Sequence, residues 1–293
     1  MNSTKIGVGA VQFGLDYGIS NSDGITPIEE VRKILTFAKE QRLRVIDTAA
    51  SYGISEEVLG KTFPQENDFD VVTKTPRFER KDASSCAELL EQTFLRSLKH
   101  LHCSHVYGLL IHHADDLLQD EGGLLIEKMK ELKERGVVNK IGVSVYSADQ
   151  VDRILDRFKV DLIQLPLNVL DQRLLISGHL SQLKKEGIEV HARSVFLQGL
   201  LLMNPKSLPS YFDSVKPHLV YYHDCLLRNG WSPVQAALSF VTALDEVDVV
   251  ICGVNNHLQL HALCNSVTSV ETDAFTKFAI QDENILNPSK WKN

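Results

Sequence analysis

The chain has 293 residues, 43% of them hydrophobic and 24% charged, with a net charge of −7 and scattered basic residues; this supports a large core and shows no footprint for nucleic acid. No apolar run reaches the ~18 residues a membrane span needs, and the opening M-N-S-T-K-I-G-V-G-A is too short and glycine-rich for a signal peptide. Cysteines at 86, 103, 225, 252 and 264 are odd in number and form no C-x-x-C pair, which argues against a disulfide framework or zinc knuckle and for reduced thiols in a cytoplasmic protein.

Short apolar runs alternate with helical stretches along the whole chain, and the runs lack clean alternation, as strands buried on both faces do. The first run is 5–11, followed by a helix over 28–41 that starts at Thr26-Pro27. Next come a strand at 44–48 with a helix over 56–62, and a strand at 70–74 with a helix over 86–101. A strand at 107–112 precedes a helix over 124–135, one at 140–144 a helix over 149–157, and one at 161–165 a helix over 178–185. The seventh strand is 189–194; a long loop at about 197–220, carrying Pro205, Pro209 and Pro217, separates it from a helix over 231–243. The last unit is 248–253 with a helix over 258–264. Eight β/α units in succession predict a closed parallel (β/α)8 TIM barrel, one domain over 1–293 with a short C-terminal tail. A doubly wound open sheet is the alternative.

In such a barrel, chemistry sits at the C-terminal strand ends. Asp47 ends the second strand, Lys74 the third and His112 the fourth, and Tyr52 lies five residues past Asp47. Period-two alternation puts Val45 with Asp47, Val72 with Lys74 and Leu110 with His112, so all three polar residues can face one rim. A tyrosine hydroxyl ordinarily titrates near ~10. Lys74, held by Asp47, is expected to lower that value and tune Tyr52 as a general acid, while His112 adds a hydrogen bond at a substrate oxygen. That set suits carbonyl reduction. Taken singly, each residue reads as readily as a barrel ion pair, a packing tyrosine or a satisfied core histidine.

The segments carrying these residues resemble the aldo-keto reductases: I-D-T-A-A-S-Y-G at 46–53 with S-E-E-V-L-G at 55–60, V-V-T-K at 71–74, and L-L-I-H-H-A-D at 109–115. The resemblance runs from about residue 5 to 265. It implies a barrel oxidoreductase that reduces a small carbonyl compound with NADPH, or sometimes NADH, bound across the C-terminal rim. By that resemblance Ser144 and Gln164 hold the nicotinamide carboxamide. R-S-V-F-L-Q-G-L-L at 193–201, with Arg193, Ser194, Phe196, Gln198 and Gly199, wraps the pyrophosphate. I-C-G-V-N-N-H-L-Q at 251–259, with Gly253, Asn255, Asn256 and Gln259, grips the adenosine phosphate at a helix N-terminus with free N–H groups. G-V-G-A-V-Q-F-G at 7–14 is then a first strand rather than a dinucleotide fingerprint, since no helix opens at its end. The substrate pocket is expected between Phe13 to Tyr17, Tyr52, Phe78, His113, Val145, Tyr146, Phe196 and the tail after Asp273.

Three departures from the family pattern stand out. Arg193 replaces a stacking tyrosine, Val145 replaces the asparagine common after Ser144, and Asn255 replaces the arginine that holds the 2′-phosphate of NADPH. NADH is therefore a candidate alongside NADPH, and Lys206 in the long loop is a candidate replacement cation. Similarity of F-G-L-D-Y-G-I-S-N at 13–21 and N-P-S-K-W at 287–291 to bacterial relatives of sugar and polysaccharide function implies a sugar derivative, with general aldehydes equally open. Two other readings remain. One is a cofactor-binding regulatory subunit with little turnover. The other is a metal-dependent hydrolase using His112 and His113, although adjacent strand histidines point to opposite faces. No metal is expected, and no interface fixing an oligomeric state is legible.

Overall fold

Successive side chains of a strand point to opposite faces, and the eight apolar runs use this to build two cores at once. In the computed structural model, which describes residues 5–64, 68–78, 83–120 and 122–291, the strands are β1 (Ile6–Gly9), β2 (Val45–Asp47), β3 (Asp70–Lys74), β4 (Val106–Ile111), β5 (Val138–Ser144), β6 (Leu162–Pro166), β7 (Glu189–Arg193) and β8 (Val249–Gly253). All pair in parallel in chain order, and β8 returns to β1 with Ile6 opposite Val250, so the sheet closes into a barrel. Val45, Val72, Leu110, Leu162, Val249 and Ile251 fill the barrel interior. Their neighbours Ile46, Val71, Leu109, Ile163, Val190 and Val250 face outward into the layer shared with the helices. The (β/α)8 barrel expected from the sequence is the fold observed.

The helices are α1 (Ile28–Glu40), α2 (Ser55–Thr62), α3 (Ala83–His100), α4 (Ala114–Leu117), α5 (Gly122–Glu134), α6 (Ala148–Leu155), α7 (Arg173–Ile176), α8 (His179–Lys185), α9 (Lys216–Asn229), α10 (Pro233–Thr242), α11 (His257–Ser266) and α12 (Glu283–Leu286). Helix α1 shows why they form. Val31, Ile34, Leu35 and Ala38 recur on one buried face, with Glu29 and Glu30 in the first turn and Lys39 in the last, matching the helix dipole. Among the described residues no helix is long and apolar enough to cross a membrane.

The segment 197–220 is not the long loop expected. It contains short 3-10 turns at Leu197–Leu202, Pro205–Ser207 and Ser210–Phe212, and then α9 begins at Lys216. Pro217 lies in the first turn of α9, where a missing N–H breaks no helical bond, so the proline that suggested a loop starts a helix instead. Helix α10 starts at Pro233, two residues later than Trp231, because Ser232 caps it by accepting from Gln235 N. The tail after Asp273 is not a pocket wall at its aromatic residues. Phe275 and Phe278 are buried, and Phe275 stacks on Trp231 with ring centroids 5.7 Å apart.

Leu110 is fully buried in the interior layer. Leu110→Ala is expected to lower the free energy of unfolding by about 2–5 kcal/mol, measured by urea denaturation. A loss under about 0.5 kcal/mol would mean the interior layer does not support the barrel.

Candidate active site

Asp47, Lys74, Ser144 and Gln164 end, or nearly end, their strands on the interior face, and all four are buried. Lys74 Nζ lies 2.8 Å from both Asp47 Oδ1 and Oδ2, and it also donates to the carbonyl oxygen of Thr48 at 2.8 Å. Three acceptors around one nitrogen match the three N–H groups of the ammonium form. Burial pulls the Lys74 ammonium below its usual range, and the Asp47 charge opposes that pull. Gln164 Nε2 donates to Asp47 Oδ1 at 2.7 Å, tying β6 to β2 across the barrel mouth.

Tyr52 reaches this pair because two loops cross at glycines. A Cβ on Gly14 would lie 2.0 Å from the Tyr52 carbonyl oxygen, and a Cβ on Gly53, at φ 57°, would lie 2.3 Å from the Gly14 carbonyl oxygen. Ser55 Oγ, bonded to Thr48 Oγ1, donates to the Ala10 carbonyl and pins the crossing. Lys74 Nζ is 5.0 Å from the centre of the Tyr52 ring, and the His112 ring stands edge-on to it at 5.7 Å. The four residues the sequence singled out therefore meet at one point.

Their electrostatics differ from expectation. Tyr52 is not pushed down by Lys74 but raised, first by burial and then by the Asp47 charge, with Arg193 acting in the opposite direction. The hydrogen bonds of Lys74 Nζ go to Asp47 and Thr48. His112 is driven to about 2 by burial first and then by the positive charge of Lys74, so its imidazole is neutral. It lies one residue past the end of β4, and its ring stacks on that of His113 at 4.9 Å. The two histidines do not point to opposite faces because the strand alternation has already ended. His112 Nδ1 is 3.2 Å from Ser51 Oγ.

The residues expected at a cofactor line the same mouth. The Arg193 guanidinium lies 4.1 Å from the centre of the Tyr146 ring. It donates to the Val145 carbonyl at 3.1 Å, Ser194 Oγ at 3.3 Å and Ser144 Oγ at 3.4 Å. Val145 and Phe13 have no exposed surface and belong to the outer core, so they are not pocket walls; Phe78 is buried as well. Ser194, Leu197, Gln198 and Gly199 all have positive φ, and Phe196 packs half-buried on the core. Gln198 Nε2 donates to Tyr17 Oη at 3.0 Å, and a Cβ on Gly199 would lie 1.9 Å from Ser20 Oγ. The loop after β1 thus lies directly on the loop after β7.

At the end of β8, Gly253 is exposed and a Cβ there would lie 2.5 Å from Gln12 Nε2, while Gln12 Oε1 is buried with no hydrogen-bond partner among the described residues. Glycine at 253 makes room for the Gln12 amide, whose oxygen, left without a donor among the described residues, suits an amide- or hydroxyl-bearing ligand such as a dinucleotide. Gln12 was not singled out by the sequence; its glycine-rich surroundings were the only signal. The helix N-terminus at 257 is less open than expected. Asn256 Oδ1 accepts Gln259 N, Gln259 Oε1 accepts Asn255 N, and Glu30 Oε1 accepts His257 N. Lys206 lines a separate pocket with Val220, His223 and Asp224 of α9.

A buried Asp–Lys pair beneath a tyrosine thus stands at the mouth of a parallel eight-stranded barrel. The pattern of the Aldo/keto reductase family matches residues 5–279, and the chain belongs to that family. It is 30% identical to aldo-keto reductase YhdN of Bacillus subtilis over 186 residues, 59% of this chain and 53% of that protein. It is 23% identical to the uncharacterized oxidoreductase YqkF of the same organism over an alignment of 305 positions, covering 96% and 94% of the two chains. The fold is shared with the apo form of aldo-keto reductase AKR11C1 from Bacillus halodurans, at TM-score 0.75 and 22% identity over 94% of this chain and 92% of that one. It is also shared with the glycerol dehydrogenase AKR11B4 of Gluconobacter oxydans, at TM-score 0.72 and 20% identity over 97% and 92%. Membership of the family makes the chain an oxidoreductase acting on small carbonyl compounds with a nicotinamide cofactor.

His112 links the site to pH. Its folded value, about 2, lies below the ~6.5 of an unfolded histidine. Below about pH 6.5 the unfolded chain takes up a proton that the folded chain refuses, so stability falls as pH drops from there and is fully present above it. Replacing the residue (His112→Gln) is expected to flatten the pH dependence of unfolding free energy by about 1 kcal/mol per pH unit between roughly pH 6 and 4. Equal slopes in urea titrations of parent and variant would show that the ring titrates freely in the folded protein.

Proposed function

We propose that this chain reduces an aldehyde or ketone to an alcohol at the barrel mouth, with Tyr52 delivering the proton. The carrying observation is the convergence of the buried Lys74–Asp47 pair, the Tyr52 ring 5.0 Å above Lys74 Nζ, and the edge-on His112. A reduced nicotinamide dinucleotide supplies the hydride when bound. Tyr52 holds its proton at neutral pH and gives it up only as negative charge grows on the carbonyl oxygen. The Lys74 and Arg193 cations then stabilise the phenolate left behind. Because His112 Nδ1 faces Ser51, Nε2 is the nitrogen that donates to the carbonyl oxygen. Asp47 fixes Lys74 beneath the ring and touches no substrate.

For the cofactor, Ser144 and Gln164 suit the carboxamide, and Arg193, its plane set by Tyr146, forms a platform for the nicotinamide ring. Ser194, Phe196, Gln198 and Gly199 border the pyrophosphate. Gly253, Asn255, Asn256 and Gln259, with Gln12, border the adenosine end. Tyr17, His113, Tyr146 and Arg193 cluster around Tyr52 and His112, and these hydrogen-bonding groups suit a hydroxylated carbonyl compound such as a sugar derivative.

Tyr52→Phe is expected to cut the turnover of a test aldehyde by about 10²–10⁴-fold while leaving cofactor affinity and the midpoint of thermal unfolding unchanged. A variant that turns over as fast as its parent would remove Tyr52 from the chemistry.

A further inference from the structure

We infer that Glu30, a residue of α1, makes this enzyme a reader of NADH rather than NADPH, because its carboxylate fills the place where a 2′-phosphate would sit. The inference rests on the adenosine end of the cofactor lying at 253–259, as proposed above.

A helix begins with N–H groups that have no partner within the helix, and these are where an anion binds. In α11 that place is already occupied by this chain's own acid. Glu30 Oε1 accepts His257 N at 2.9 Å and also pairs with His257 Nδ1. Asn256 Oδ1 takes Gln259 N at 2.9 Å, so two of the first three N–H groups of the helix are capped by side chains. The arrangement is fixed by packing. Helices α1 and α11 lie against each other, with the Phe37 ring 5.4 Å from that of His261, which brings the first turn of α1 to the first turn of α11.

The Glu30 side chain is 18% exposed, so the carboxylate is set into the surface yet within reach of a ligand. It is ionised throughout the neutral range: the backbone N–H of His257, then its ring, hold the acid down to about 2. The surrounding cations are engaged. Lys33 Nζ lies 3.1 Å from Glu30 Oε2, and Arg32 pairs with Glu29. Asn255 adds a neutral amide, bonded to Asn21 Oδ1, where an arginine would add charge.

The two cofactors differ at this point by one group. The adenosine ribose of NADH carries a 2′-hydroxyl, whose O–H can donate to a carboxylate. NADPH carries a phosphate there, close to a dianion, which would meet the Glu30 charge and compete with it for His257 N. Like charges at such distances, half out of water, lower affinity by roughly ten- to a hundredfold.

The test is calorimetric titration of the full-length protein with NADH and with NADPH, for the parent and for Glu30→Gln, which keeps an acceptor for His257 N and removes the charge. The parent is expected to bind NADH at least about tenfold more tightly. The variant should bring the two dissociation constants within about threefold of each other by a gain in NADPH affinity. In the parent, raising salt from about 0.05 to 0.5 M should narrow the ratio, since screening weakens the repulsion; this reading needs no variant and decides the matter if Glu30→Gln does not fold. Equal binding of the two cofactors by the parent, an unchanged ratio in folded Glu30→Gln, or a ratio indifferent to salt overturns the inference and leaves the carbonyl reductase reading intact. Binding of neither dinucleotide overturns both.

Discussion

The ion pair between Asp47 and Lys74 is the constraint around which the rest of the molecule is arranged. Taking two charges out of water costs several kcal/mol per ion, and their attraction offsets this only when every remaining donor and acceptor is matched. Here they are matched. Lys74 has three acceptors for its three N–H groups, and Asp47 takes a further N–H from Gln164. Three strands and the turn after β2 must hold their places for this to be so. A barrel supplies that rigidity, because closure leaves no strand free to slide without moving all eight.

With the pair fixed, the loop after β1 organises what surrounds it. It touches the loop after β2 through Gly14 and Gly53, the loop after β7 through Tyr17 and Gln198, and the loop after β8 through Asn21 and Asn255. The loop after β7 accepts unfavourable backbone to meet it: Ser194, Leu197 and Gln198 are non-glycine residues at positive φ. Such conformations cost of order 1–3 kcal/mol each and persist where the surroundings over-determine them, often at functional sites. One loop thus connects the Tyr52 end of the mouth to both ends of the groove proposed for the cofactor.

The parts of this that were legible in the sequence are those with a local cause. Period-two alternation places Asp47 and Lys74 on the interior face whatever the rest of the chain does, and eight β/α units lead to a barrel. Features decided by partners far along the chain were not legible. The acidity of Tyr52 depends first on its burial and then on the Asp47 and Arg193 charges around it, which spacing does not reveal. The His112 and His113 rings stack because β4 stops at Ile111, one residue earlier than its apolar run suggests. Helix α9 was hidden by a proline that reads as a breaker until its position in the first turn is known. Glu30 and His257 are 227 positions apart, and nothing near either signals the other.

The division of labour between the two cations follows from the same geometry. Lys74 lies under the Tyr52 ring with its hydrogen bonds turned to Asp47, so the charge it presents to the phenol is partly cancelled by that carboxylate. Among the described residues Arg193 has no such counter-ion in its hydrogen bonds: its N–H groups go to the neutral oxygens of Ser144, Val145 and Ser194. Accordingly Asp47 strengthens the hold of Tyr52 on its proton and Arg193 weakens it. A phenol that is protonated at rest, next to an uncancelled cation that steadies the phenolate, is the arrangement a proton donor needs at neutral pH. In the reaction proposed, Arg193 thus carries part of the electrostatic role that spacing alone would have given to Lys74.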